Sequence, residues 1–243
     1  MLAGDHKQLP PTVLSKDAAT RGLGETLFAR VHAKWPSTAR ILTTQYRMHG
    51  DISRWASEEL YEGRLVAADG VAQWVLRVGT FESGGYTCEC CEGEHHTSST
   101  HHGDPSTVYP NFEADEQDPT ALPPLVLVDT AGCDFTETRE HEGDSVCNPG
   151  EVGLAIAIAR RLIAAGAVTP EELGVVAPYS AQVGLLREQR ALDDSLTKVE
   201  MSTVDGFQGR EKDAIILTAT RSNEKGAHCA FPKSLPDCLL IQD

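Results

Sequence analysis

Basic residues are nearly missing from one long stretch of this chain: residues 82–144 hold fifteen acidic side chains against a single basic one, Arg139. That stretch carries −14 of a formal net charge of −15, so the remainder is close to neutral. Uniform acidity would exclude a phosphate-backbone partner, which Lys and Arg must neutralise; acidity confined to one segment does not. Long apolar runs are missing too. No stretch approaches the roughly 20 residues of a membrane-crossing helix, and Met1 leads into an apolar stub without a leader pattern. The expectation is a soluble protein of the cytoplasm, the nucleus or both, with no membrane partner. Aromatic residues make up only 6%, few for a protein that grips single strands chiefly by base stacking.

Paired cysteines are absent in the same sense. Seven cysteines in a chain without a leader read as reduced thiols. Cys88, Cys90 and Cys91 with His95, His96, His101 and His102 invite a zinc reading. Their spacing fits no standard structural pair, which separates ligands by two to four residues, so a polar loop competes with it and no metal site is assigned.

What is present is an alternating pattern. At 243 residues and 40% hydrophobic, the chain suffices for one full domain with an incomplete neighbour. Within 24–33, Leu27, Phe28 and Val31 recur at helical spacing until Pro36 breaks the pattern. A strand is expected at 40–45. A helix follows at 50–61, with Ile52, Trp55, Ala56 and Leu60 as its buried face. From 82 to 121 the chain dissolves into Gly, Ser, Thr, Pro, His and acid, which cannot bury enough apolar area to offset ordering; a disordered surface insertion is expected.

Order returns with a strand at 125–128. Asn148 then reads as an N-cap, Pro149 as the first helical turn and Glu151 as the partner of a capping box. Strands at 174–177, 197–201 and 214–220 and a helix at 181–190 complete the alternation. The fold class is α/β: a mostly parallel sheet with helices on both faces and functional loops at the strands' carboxyl ends.

Three segments carry chemistry. The first is Gly4-Asp5-His6-Lys7-Gln8-Leu9-Pro10-Pro11, where the Gln8 amide both donates and accepts and so can distinguish a phosphate from a water. The second is Leu42-Thr43-Thr44-Gln45-Tyr46-Arg47-Met48-His49. Its Arg47 keeps its charge at any working pH and grips phosphate bidentately. The third runs Ser202-Thr203-Val204-Asp205-Gly206-Phe207-Gln208-Gly209-Arg210-Glu211-Lys212-Asp213 into the apolar Ala214-Ile215-Ile216-Leu217. There Gly209 allows close backbone approach. The bland alternatives are a capped polar loop for Gln8, a surface ion pair for Arg47 and a half-buried core position for Tyr179. Tyr46 and Met48 read as packing residues.

In this order and at these spacings the three segments resemble motifs of the superfamily 1 helicases, in the Upf-like branch that moves 5′ to 3′ on single strands. The resemblance runs from residue 2 to about 223. It implies a RecA-like fold of the P-loop NTPase type: residues 1–38 as the C-terminal piece of a first RecA-like domain, 39–223 as the second, and 224–243 as a divergent tail. It implies catalytic roles for Arg47, as a finger on the γ-phosphate, and for Gln8. ATP binding falls to Gln8, Gln45, Arg47, Gly209, Arg210 and Glu211. Contact with single-stranded RNA or DNA falls to Pro178, Tyr179, Ser202, Thr203 and Val204, with Ser180 where the family commonly has Asn.

The family also needs a Gly-x-x-x-x-Gly-Lys-Ser/Thr loop, an acidic strand end for Mg2+ and a later Arg-rich motif, none of which the sequence contains. The expectation is therefore a fragment cut at both ends, with the ligands for ATP and Mg2+ largely outside it and no hydrolysis by the chain alone. The resemblance implies a monomer, with the acidic insertion as a surface for a protein partner. The alternative function is a non-catalytic short isoform that binds nucleic acid or protein. Val128-Asp129-Thr130-Ala131-Gly132 matches a GTPase switch segment, but one four-residue match without a phosphate loop or a guanine-reading Asn-Lys-x-Asp carries little information.

Overall fold

The structure, a computed structural model, describes residues 1–79, 118–130, 133, 135–139 and 145–221. Chain packing divides it into two units, residues 1–74 and residues 75–243.

The first unit holds four α-helices and one pair of two-residue strands. Helix α1 (Lys16–Thr20) starts where the Ser15 hydroxyl accepts the Ala18 N–H, and α2 (Leu27–Lys34) starts where Thr26 does the same for Ala29. Both use an oxygen cap for an otherwise orphan amide. Strands β1 (Thr44–Gln45) and β2 (Val66–Ala67) pair in parallel, Thr44 against Val66, with α3 (Gly50–Tyr61) crossing between them. The strand expected over 40–45 is thus only its last two residues. Helix α4 (Asp69–Ala72) closes the unit.

The buried face of α3 differs from the expected one. Ile52 and Leu60 are exposed, whereas Ser53 and Ser57 are buried. The reason is polar: the Ser57 hydroxyl donates to the Leu65 carbonyl at 2.7 Å and accepts the Leu65 N–H at 3.1 Å. One side chain thereby satisfies both backbone groups of the residue that leads into β2, groups that would cost free energy if buried unpaired.

The second unit holds the sheet. Strands β3 (Thr138–Arg139) and β4 (Val146–Cys147) form a short antiparallel pair. Helix α5 (Pro149–Ala164), β5 (Leu173–Ala177), α6 (Ser180–Ala191), β6 (Glu200–Thr203), α7 (Val204–Phe207) and β7 (Ala214–Leu217) follow. The sheet order is β6-β5-β7, all parallel, with Val176 opposite both Ser202 and Leu217. Leu173, Val175 and Ala177 of β5 face a core shared with Val152, Ile156 and Leu162 of α5 and Val183 and Leu186 of α6. Gly174 points to the other face because side chains alternate along a strand. A Cβ there would sit 3.1 Å from the Phe207 ring, so α7 covers the second face.

Several sequence expectations shift here. The N-cap bond at α5 forms, with the Asn148 side chain accepting the Glu151 N–H at 3.2 Å. The capping box does not close, since the Glu151 carboxylate accepts from Thr130 and Thr218 and the Asn148 N–H goes to Gln182 instead. Residues 125–128 form no strand among the described residues, and Leu125, Leu127 and Val128 are each nearly half exposed. An apolar run makes a strand only where a sheet edge pairs it. β6 lies three residues later than expected at its start, and β7 ends at Leu217, with Ile215 and Leu217 exposed on the face opposite the core.

Most of the acidic insertion, with its Cys and His run, and all of the 224–243 tail lie outside the described residues. Of 82–121 only 118–121 are described. Ala121 bridges Arg77, the Thr120 carbonyl accepts the Val78 N–H, and Leu122 next to it is buried in the core. No helix among the described residues is long and apolar enough to cross a membrane, and none of their His, Cys, Asp and Glu side chains group to hold a metal ion.

Candidate nucleotide and nucleic-acid sites

Gln8 sits in a turn organised by one carboxylate. Asp5 accepts the Lys7 N–H through Oδ1 at 2.9 Å, and its Oδ2 accepts both the Gln8 Nε2 at 3.0 Å and the Tyr61 hydroxyl at 2.5 Å. Partial burial pushes the Asp5 carboxyl up, but the hydrogen bonds from Tyr61, Lys7 and Gln8 and the nearby His6 outweigh it, and the net displacement is downward. Tyr61 moves the other way, to about 12, through burial, its hydrogen bond to Asp5 and the Asp5 charge.

Arg47 is presented by Gln45. The Gln45 Oε1 accepts the N–H groups of Arg47 at 2.8 Å and Met48 at 2.9 Å, while its Nε2 donates to the Met48 carbonyl at 2.6 Å. The same Nε2 also reaches the Ser53 hydroxyl at 3.5 Å, so one carboxamide satisfies three backbone groups of two consecutive residues, Arg47 and Met48. It leaves the Arg47 side chain at the surface. His49 then caps α3, its Nδ1 accepting the Asp51 N–H at 3.0 Å.

In the second unit the expected residues divide between the two ends of the sheet. Pro178 and Tyr179 leave β5 and Ser202, Thr203 and Val204 leave β6, all at the carboxyl end. Thr203 caps α7 through the Gly206 N–H at 3.2 Å, and a Cβ on Gly206 would lie 2.5 Å from the Ser202 hydroxyl. Two α6 arginines hold β6 in place: Arg187 donates twice to the Met201 carbonyl and Arg190 once to that of Val199. Ser180, where the family commonly has Asn, shares a hydrogen bond with Ser145 at 3.1 Å, and Ser145 also accepts the Ala181 N–H.

Gly209, Arg210 and Glu211 belong to the connection that returns to the amino end of β7. Gly209 has φ +80°, a conformation that favours glycine. Arg210 is ion-paired with Glu200, the first residue of β6, and Lys212 lies 3.3 Å from the same carboxylate. These three residues therefore do not join the loops at the carboxyl ends.

Three features escaped the sequence reading. Tyr61 and Asp5 meet across 56 positions. Arg221 lies with its guanidinium 5.6 Å from the Tyr179 ring centre and 2.8 Å from Glu137. Gln182 is fully buried, donating to the Thr218 hydroxyl at 3.0 Å and accepting the Asn148 N–H. No spacing rule signals any of these. Mg2+ binds through carboxylate oxygens with several waters, and among the described residues no three His, Cys, Asp or Glu side chains come together to hold a metal ion.

A family profile described as "AAA domain" matches residues 23–235. The chain is 40% identical over 227 residues to DNA-binding protein SMUBP-2 of Rattus norvegicus, 93% of this chain and 19% of that protein. It is 36% identical over 231 residues to DNA polymerase alpha-associated DNA helicase A of Saccharomyces cerevisiae, 93% of this chain and 30% of that protein. With DNA replication ATP-dependent helicase/nuclease DNA2 of Homo sapiens it shares 30% over 227 residues, 93% and 19% of the two chains. The chain belongs to this AAA-domain family, as a member of the superfamily 1 helicases. It spans about a fifth to a third of the length of these relatives.

Proposed function

We propose that the chain supplies the second motor domain, 39–223, and the C-terminal edge of the first, 1–38, of an ATP-dependent helicase or translocase that moves 5′ to 3′ on single strands. ATP sits between the two RecA-like domains. Its hydrolysis opens and closes the cleft, and the second domain steps along the strand. Arg47 stabilises charge on the transferring phosphoryl group, as a guanidinium is suited to do. Gln45 serves the nucleotide by presenting Arg47, and Gln8 reads the γ-phosphate or the attacking water. Gly209, Arg210 and Glu211 complete the nucleotide's surroundings. Pro178, Tyr179, Ser202, Thr203 and Val204 hold the nucleic-acid backbone through hydroxyls, amides and one ring, contacts that position without reading sequence. The chain acts as a monomer, and the acidic insertion is the surface offered to a protein partner.

The observation that carries this reading is the Gln45 carboxamide, which spends its hydrogen bonds on setting out an arginine at the surface. The relatives' names speak of DNA binding and DNA helicases, which makes single-stranded DNA the first ligand to try, with RNA beside it. The test is Arg47→Ala in the longest natural polypeptide that contains residues 1–243. ATP hydrolysis is expected to vanish while single-strand binding, read by filter titration against salt, stays within a factor of about two. Lost strand binding with normal turnover refutes the assignment.

A further inference from the structure

Helix α3 has a functional segment at each end. Its first residue, Gly50, follows directly on Arg47-Met48-His49, and its last, Tyr61, bonds to Asp5 in the turn that carries Gln8. Twelve helical residues make a rod of about 18 Å. The rod is fixed at its far end: the Ser57 hydroxyl engages Leu65, and the chain then turns through Glu62 and Gly63 with φ of 57° and 70°. Tyr61 is thereby held so that its hydroxyl meets the Asp5 oxygen that also accepts the Gln8 amide, at 2.5 and 3.0 Å.

From this geometry we propose that Tyr61 is a positioning residue, whose hydroxyl orients Asp5 and through it the Gln8 carboxamide, so that α3 mechanically joins the Arg47 turn to the Gln8 turn. The inference rests on the nucleotide role proposed for Gln8. A carboxylate held by the Tyr61 phenol and the Lys7 N–H has little freedom to rotate, and an amide bonded to it inherits that order. An orienting group gains its effect from such order, since a small misplacement costs rate far more than it costs binding. The charged and titratable neighbours of Asp5 are His6 and Lys7 from its own loop and Tyr61 from α3.

The test has two parts. In the first, without nucleotide, the Asp5 carboxyl carbon and the Gln8 side-chain amide are followed by NMR through an acid titration. In the wild type the Gln8 amide is expected to follow Asp5, with a midpoint below the ordinary value of about 3.9. Y61F, which keeps the ring and removes only the hydroxyl, is expected to move that midpoint upward. A Gln8 amide indifferent to Asp5 protonation, or an unmoved midpoint in Y61F, overturns the proposal.

The second part measures ATP turnover in the longest natural polypeptide. Y61F is expected to lower kcat about ten- to a hundred-fold with KM for ATP nearly unchanged. D5N, which leaves the phenol and removes the charge, should reproduce it, and the double variant Y61F/Q8A should be no slower than Q8A. Unchanged turnover in Q8A ends the Gln8 reading and this proposal with it. Turnover that falls in Q8A but not in Y61F overturns the Tyr61 role alone.

Discussion

The carboxamide oxygen of Gln182 accepts the backbone N–H of Asn148 at 2.7 Å, tying the first turn of α6 to the cap of α5. Both residues are almost completely buried, and Asn148 also donates through its side chain to the Thr220 carbonyl at 3.1 Å. Gln182→Leu fills the space but leaves the Asn148 N–H without a partner. A stranded buried donor costs about 1–3 kcal/mol, and urea unfolding should lose that much. An unmoved midpoint would show that water reaches the site.

Gln45→Glu keeps both acceptor positions and removes the donor to the Met48 carbonyl, setting a carboxylate oxygen against a carbonyl oxygen where 2.6 Å now separates donor from acceptor. The turn should open and Arg47 lose its fixed exit. The expected result in the longest natural polypeptide is a fall in kcat approaching that of Arg47→Ala, with stability changed by roughly 1 kcal/mol. Turnover equal to wild type would mean that Arg47 needs no help from Gln45.

Gly206→Ala brings a methyl to within 2.5 Å of the Ser202 hydroxyl, which must rotate away. Because Ser202 is a short side chain half open to solvent, the rotation is cheap for the fold. Single-strand affinity should fall about tenfold while thermal stability stays within a degree or two, as befits the loss of about one backbone hydrogen bond. Equal affinity in filter binding would remove Ser202 from the contact set.

Asp193 is held below the ordinary carboxylate range by the Ser195 hydroxyl first and Arg160 second. A folded-state value lower than the unfolded one contributes stability that is complete above about pH 4 and is lost as pH falls through the folded value. Asp193→Asn should therefore make the acid limb of the stability curve shallower below about pH 4. Parallel limbs for variant and wild type would contradict this.

The parts of the fold legible in sequence were those whose signals are local. α3 begins and ends at the expected residues, and α5 opens at Asn148 and Pro149, because caps and helical periodicity lie within a few positions of one another. The run at 125–128 misled because its composition suits a strand, while pairing depends on an edge that composition does not reveal. Gln182 follows the Pro178-Tyr179 segment that resembles a contact surface, and nothing in its spacing tells that it is fully buried. At the candidate sites Gln8, Gln45 and Arg47 stood out by motif. Their supports, Asp5 with Tyr61 and Gln45 with Met48, became visible only when the chain was folded.

The Arg210 and Thr203 ends of β6 have a further consequence. Arg210 pairs at Glu200 and Thr203 closes the same strand three residues on, about 10 Å away at the rise of a parallel strand. The proposed nucleotide contact at Arg210 and the proposed nucleic-acid contact at Thr203 therefore stand at opposite ends of one strand, and the length of that strand in residues sets their separation.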